Sequence, residues 1–252
     1  MLKDKLRLKD FTLGSWLMSG SPVIADVMAT AGLEWLVIDH EHTCTDFHQI
    51  DNLISRIQKN KIEALVRVAK NDEVFIKKVL DAGANGVVIP MVKSLEDAKR
   101  AIDYCYYPPF GKRGVGLFTA QGYGYEFEKY VQNHRHQTTV IFQIEHVDAL
   151  RDIDSMTQLE GVDGFIIGPY DFSASMGKPG KFDDPEISQA LSAVERAVIK
   201  SGKSLGYHIV QPDTHLLAQK KSQGYSFFAF SIDYLLLGNS LREKLNLIKE
   251  GL

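Results

Sequence analysis

Thr139-Val-Ile-Phe-Gln-Ile-Glu145 and Asp163-Gly-Phe-Ile-Ile-Gly-Pro-Tyr-Asp171 are two short apolar runs, each leading into a carboxylate. Such runs read as parallel strands buried on both faces, where the polar alternation of a half-exposed strand is lost. Glu145 and Asp171 are 26 residues apart, about the length of one βα repeat when ~250 residues close into an eight-fold barrel. Side chains at the C-terminal ends of adjacent barrel strands point into one mouth. Hard divalent cations are held there by one or two carboxylates plus substrate oxygens. The pair predicts the core of a metal-dependent enzyme site.

Working outward, six further runs have the same character: Thr12–Met18, Trp35–Asp39, Ala64–Val68, Gly86–Pro90, Ser204–Ile209 and Phe227–Ser231. Amphipathic stretches separate them, the pattern of repeated βα units. Eight such strands favour a closed α/β (TIM) barrel over an open sheet. Ser21-Pro22, Ser94-Leu-Glu-Asp97 and Asp184-Pro-Glu-Ile187 carry helix-start chemistry, and Gly83, Gly202 and Gly224 fall where helices should stop. No break in composition interrupts the chain, so residues 1–252 are expected to form one domain. The connection Tyr106–Tyr125 is too long for a simple loop and holds five glycines. It is either a lid over the catalytic face or a structural excursion.

The composition is that of an ordinary globular protein: 252 residues, 44% hydrophobic, 24% charged, net charge −3. A slightly acidic chain argues against nucleic acid as the main partner, because phosphate binding needs a basic face. No apolar stretch reaches membrane-spanning length. Met1-Leu-Lys-Asp-Lys-Leu-Arg-Leu-Lys-Asp10 lacks the apolar core of a signal peptide. Cys44 and Cys105 have no metal-ligand spacing and suggest reduced thiols. The expectation is a cytoplasmic enzyme acting on small molecules.

The second strand ends in Asp39-His-Glu-His42. Extended backbone would put Asp39 and Glu41 on one face and His40 and His42 on the other. A His-x-His pair can bind a transition metal in barrel hydrolases, but further histidines are then required at later strands. His146 and Asp233 follow the fifth and eighth strands, whereas the sixth ends in Gly-Pro-Tyr. The other reading makes one histidine a general base oriented by a carboxylate. Arg67 sits in the apolar run Ala64-Leu-Val-Arg-Val68. It needs an anionic partner, either a bound carboxylate or enolate or a structural pair with Asp39 or Glu41. Gln143 shares a face with Glu145 and could orient a water or a substrate oxygen. Gly168-Pro169 lets backbone approach a ligand, and the short helix after it could receive a carboxylate at its amide end. No lysine ends a strand in apolar company, which disfavours a Schiff-base aldolase. Neither phosphate-binding glycine loops nor a Gly-x-Gly-x-x-Gly motif is present.

Taken in order, Asp39-His-Glu-His42, Val66-Arg-Val68, Ile89-Pro-Met-Val92, Tyr107-Pro-Pro-Phe-Gly-Lys-Arg-Gly-Val-Gly116, Gln143-Ile-Glu145 and Gly168-Pro-Tyr-Asp-Phe-Ser-Ala-Ser-Met-Gly177 resemble the metal-dependent 2-oxo-acid aldolases of the HpcH/HpaI family. The resemblance spans nearly the whole chain. It implies a Mg²⁺, Mn²⁺ or Co²⁺ site on Glu145 and Asp171, with pyruvate chelated through its carboxylate and keto oxygens. Arg67 would stabilise the enolate, and His42 with Asp39 would move protons through water. Gln143, Gly168, Pro169 and Tyr170 would line the pyruvate pocket, the backbone amides near Tyr170-Asp171 holding its carboxylate. It further implies a homo-oligomer, a hexamer or trimer of dimers, with the last helix packed on a neighbour.

The chain departs from the family pattern at His40 and Tyr170, where smaller residues are more usual, and at Thr119, where an arginine for a substrate carboxylate is common. His208 stands where relatives present an apolar residue. These departures predict a hydroxylated aldehyde acceptor. A Claisen-type citrate synthase or lyase on the same barrel is the competing enzyme, marked by coenzyme A dependence. A metal-binding barrel with a regulatory or scaffold role is the competing non-enzyme.

Overall fold

Eight parallel strands close on themselves in sequence order: β1 (Thr12–Leu17), β2 (Trp35–Asp39), β3 (Glu63–Arg67), β4 (Gly86–Ile89), β5 (Thr139–Ile144), β6 (Gly164–Ile167), β7 (Ser204–Ile209) and β8 (Phe227–Ile232). Pairing of β1 with β8 completes the ring, with an irregularity between Gly14 and Trp16. The structure is a computed structural model and describes residues 1–251. The helices are α1 (Leu2–Leu8), α2 (Pro22–Ala29), α3 (Phe47–Lys59), α4 (Glu73–Asp81), α5 (Leu95–Cys105), α6 (Phe127–Gln137), α7 (Ile153–Thr157), α8 (Pro169–Ser175), α9 (Pro185–Ser201), α10 (Thr214–Ser222) and α11 (Asp233–Glu250). Each of the eight anticipated strands lies within about a residue of its expected place. This is the (β/α)8 TIM barrel.

Local chemistry explains the helix boundaries. The side chains of Ser21, Ser94 and Asp184 accept hydrogen bonds from the amides of Ile24, Asp97 and Glu186, capping α2, α5 and α9. Gly202 ends α9 at φ 80°, a left-handed backbone that costs a residue with a Cβ about 1–2 kcal/mol.

Two cores result from the strand period of two. Outward residues such as Leu36, Ile38, Val66, Val87 and Phe142 pack against the helices. Inward residues Trp16, Trp35, Val37, Leu65, Val88, Ile141, Ile166, Phe227 and Ala229 fill the barrel, which α1 closes from below with Leu2 and Leu6. Trp35 and Phe227 are accommodated because Gly14 and Gly206 lack side chains; a Cβ at either would lie 2.1 Å from the facing ring.

The segment 106–125 is not a lid over this barrel's own mouth. It follows α5 and precedes α6, which leads into the start of β5, so it lies at the N-terminal end of the strands. Arg113, wholly buried, fixes it there by an ion pair with Asp81 at the end of α4 (2.6 Å) and by lying over the Tyr107 ring. Thr119 stands beside Gly83 at that same end. The expectation that Thr119 would border the substrate of its own barrel is therefore corrected.

Candidate active site

The inward register that fills the barrel also delivers the site. On β2 it runs Trp35, Val37, Asp39; on β3, Leu65, Arg67; on β5, Ile141, Gln143 and then Glu145; on β7, Gly206, His208. The last inward position of each of these four strands is polar. Arg67 donates from Nε to Asp39 Oδ1 (2.7 Å) and from Nη2 to Asp39 Oδ2 (2.9 Å), a two-point clamp on a fully buried carboxylate. Its Nη1 lies 3.2 Å from Glu41 Oε2, and the guanidinium stacks 4.4 Å above the Trp16 ring. The ion-pair reading of Arg67 is correct, and the pair faces a cavity.

Glu145 is buried, and both of its oxygens are positioned. Oε1 accepts from the Met91 amide (2.6 Å), and Oε2 accepts from the Gln143 amide nitrogen. Burial pushes its carboxyl above the usual range, and repulsion from Asp171 adds to that; the two hydrogen bonds and Arg67 pull the other way. Asp171 lies in the first turn of α8 and is exposed to the mouth. Gly168 borders Glu145 and Gln143, and a Cβ there would approach Glu145 Oε2 to 3.0 Å. The space beside Glu145 is kept open by that glycine.

The two histidines after β2 diverge. His40 Nδ1 meets the Thr45 carbonyl at 2.6 Å, and its ring packs between Phe47 and Phe75, outside the barrel. His42 reaches the mouth with a half-exposed ring, its Nε2 3.5 Å from Glu41 Oε2. Among the described residues no group of three or more His, Cys, Asp or Glu could hold a metal ion. The His-x-His hydrolase reading falls on this geometry. Asp39 gives both oxygens to Arg67, and Glu41 is the carboxylate directly beside His42.

A cavity of ≈ 650 Å³ covers the mouth, and His42, Arg67, Gln143, Gly168, Pro169, Tyr170, Asp171 and His208 all border it. His208 packs against Trp16 with ring centroids 5.3 Å apart and meets the Ser231 carbonyl at 3.3 Å. Desolvation lowers its pKa to about 4, with Arg67 adding to the effect, so the imidazole is neutral at pH 7. Two contributors escaped the sequence reading, Trp16 and the Met91 amide. Trp16 was readable from the inward alternation of β1. Glu41, expected as a possible partner of Arg67, follows Asp39 on the inward face, and burial raises its carboxyl to about 8. The Met91 amide has no side-chain signal at all.

The family model described as HpcH/HpaI aldolase/citrate lyase matches residues 12–240. The 2-keto-3-deoxy-L-rhamnonate aldolase of Escherichia coli (strain K12) is 32% identical over 250 residues, covering 99% of this chain and 93% of that protein. Among solved structures, an HpcH/HpaI aldolase/citrate lyase family protein from Burkholderia cenocepacia J2315 is 30% identical, with a TM-score of 0.93 over 98% of both chains. A citrate synthase is 26% identical, with a TM-score of 0.87 over 99% of this chain and 98% of its own. The matched span reaches from β1 into α11 and so contains every residue of the mouth. The chain belongs to the HpcH/HpaI aldolase/citrate lyase family and is a carbon–carbon lyase of the aldolase kind.

Proposed function

We propose that the protein is a divalent-metal-dependent aldolase that makes or cleaves a 4-hydroxy-2-oxo acid through the enolate of pyruvate, with a hydroxylated aldehyde as the other partner. The observation that carries this reading is that Asp171 and the Arg67 guanidinium border one cavity, with Glu145 buried directly behind its Gly168 wall and within electrostatic reach of both. Two hard carboxylate oxygens beside a glycine-lined space suit Mg²⁺, Mn²⁺ or Co²⁺, with substrate oxygens completing the ligand set. When bound, the ion supplies positive charge that acidifies the pyruvate methyl group and offsets charge on the enolate oxygen.

The chain's own groups do the rest. Arg67, locked by Asp39, holds a second positive charge at the mouth without reorganising during reaction. Amides at the start of α8, near Tyr170 and Asp171, lack partners within the helix and are free to receive the pyruvate carboxylate. In the cleavage direction His42 takes the C4 hydroxyl proton, the C3–C4 bond breaks, and its electron pair passes to the enolate. The aldehyde departs, and protonation at C3 gives pyruvate. Gln143 positions Glu145.

The acceptor assignment rests on His208 and Tyr170. A neutral, half-buried imidazole with Trp16 beside it offers hydrogen bonds to a hydroxyl and no cation to a carboxylate tail, whose desolvation would go uncompensated. The relative's substrate has matching chemistry: cleavage of 2-keto-3-deoxy-L-rhamnonate between C3 and C4 yields pyruvate and a 2-hydroxyaldehyde. No helix among the described residues is long and apolar enough to cross a membrane. Cys44 and Cys105 are free thiols, in keeping with a cytoplasmic setting. A homo-oligomer, a hexamer or trimer of dimers, is part of the same proposal, since α11 exposes Leu237, Leu241, Leu245 and Ile248 along one stripe.

Chelation followed by add-back of Mg²⁺, Mn²⁺ or Co²⁺ tests the chemistry, measured as pyruvate methyl-proton exchange and as cleavage. Activity should vanish and return, and Glu145→Gln and Asp171→Asn should each weaken metal binding by calorimetry. Full turnover without metal, or turnover only with a coenzyme A thioester, ends this reading. Preference for succinic semialdehyde over glycolaldehyde and glyceraldehyde ends the acceptor assignment alone.

A further inference from the structure

The cavity over the mouth does not stop there. It passes Tyr170 and Phe182, whose rings meet edge-on at 4.9 Å, and continues between α9, α10 and the outer face of β7 as far as Tyr225. In a barrel of this kind that layer is ordinarily filled by the apolar side of the covering helix. Here α9 does its share, burying Ile187, Ala190, Val194, Ala197 and Val198. By contrast, α10 reads Thr214-His-Leu-Leu-Ala-Gln-Lys-Lys-Ser222, has no one-sided apolar stripe, buries no residue fully and sets only the half-buried Leu216 and Leu217 against the core. The space it leaves is continuous with the catalytic mouth, and the whole is ≈ 650 Å³. Sites of about 300–1,000 Å³ take ligands of drug size. Pyruvate with a two- or three-carbon aldehyde is far smaller than that.

We infer that the cleft between α9 and α10 is a second substrate subsite, which receives the polyhydroxylated tail of a long-chain 4-hydroxy-2-oxo acid. The inference rests on the aldolase reading of the mouth and extends it. Strand β7 serves both halves, since His208 points into the mouth and Tyr207 into the cleft. The floor is polar and neutral. Tyr225 donates to Glu195 Oε1 at 2.5 Å, and the Lys220 ammonium lies 3.4 Å from the same oxygen. Lys220 also sits over the Tyr207 and Tyr225 rings, 4.9 and 5.0 Å from their centroids. Ser188, Ser192 and Gln223 add donors and acceptors, while Leu191 and Leu216 supply apolar surface. Such a mixture matches a polyol, whose hydroxyls alternate with C–H faces. A tail ending in phosphate or carboxylate is not matched, because the cleft's cation is already paired with Glu195.

The test plugs the cleft from each wall, with Ser192→Tyr on α9 and Leu216→Trp on α10, both away from the carboxylates and Arg67. Cleavage of 4-hydroxy-2-oxopentanoate is compared with that of 2-keto-3-deoxy acids of eight and nine carbons in metal-loaded enzyme. The ratio of variant to wild type for each acid cancels its cyclic fraction. Each plug should lower kcat/KM for the long acids by about tenfold or more and leave the short acid within about twofold. Equal loss for long and short acids, or no loss for either, overturns the subsite while the aldolase reading stands. A wild type that cleaves no acid of the series overturns the aldolase reading, and the subsite with it.

Discussion

Both ends of this barrel bury charge, and they do so to opposite purpose. At the N-terminal end the Lys3 ammonium donates to Asp163 Oδ2 and to the Thr138 carbonyl, each at 2.6 Å, and reaches the Tyr106 hydroxyl at 3.4 Å. Asp163 also accepts from the Val140 amide. Lys3 is the polar plug on α1, whose Leu2 and Leu6 close the barrel. At the C-terminal end Arg67 is held as firmly by Asp39, yet around it the network is left incomplete. Trp16 Nε1 and Glu41 Oε2 are buried with no hydrogen-bond partner in the protein, although Arg67 Nη1 approaches the latter. A completed buried network specifies structure, whereas an incomplete one facing a cavity is stabilised by what enters it.

The sharpest way to break this comparison is Asp163→Ala. It strands the Lys3 charge inside the protein and should cost about 3–5 kcal/mol of stability, measured by denaturant unfolding, with kcat per folded molecule unchanged. A Lys3→Met/Asp163→Leu double variant should recover much of that stability. If Asp163→Ala instead lowers kcat per folded molecule by orders of magnitude, the two ends are not functionally separate.

Arg67→Ala comes next, with a loss of about 10²–10³-fold in rate, as for removal of one donor that stabilises developing negative charge. Pyruvate methyl-proton exchange should fall with carbon–carbon cleavage. Because Asp39 is left buried and unpaired, stability falls too. Asp39→Asn combined with Arg67→Gln should restore stability without restoring rate. Recovery of both would make Arg67 a structural residue.

The smallest effect concerns Glu41 in metal-free protein. Its carboxyl is raised from 4.5 to about 8 by burial, so between those values the native state holds a proton that the unfolded chain has released. Its contribution to stability is fully present below pH 4.5 and is lost as pH rises through 8. Thermal midpoints from pH 4.5 to 8.5 should therefore decline more steeply for wild type than for Glu41→Gln. Parallel curves would place Glu41 in water rather than in the mouth.

Legibility differed by region for a physical reason. Asp39, Arg67, Gln143 and His208 were readable because a strand's period of two carries the inward face from core to mouth. The alternation continues one and two residues beyond β2, sending His40 outward between two phenylalanines and Glu41 inward to Arg67; His42, in the turn, departs from it and reaches the mouth. For 106–125, composition identified an unusual segment, but its place depends on the Arg113–Asp81 pair joining residues 32 apart.

The sequence by itself determined the eight strands, their parallel order, the caps of α2, α5 and α9, and the carboxylates that end up sharing a mouth. All of these follow from local periodicity and from the covalent order of βα repeats. Only the tertiary structure decided that Asp39 belongs to Arg67 and that Glu41 lies beside His42, that the glycine-rich segment lies at the far end, and that a cleft remains under α10. Those outcomes depend on which distant groups compete for the same buried charge or volume, and such competition exists only once the barrel has closed.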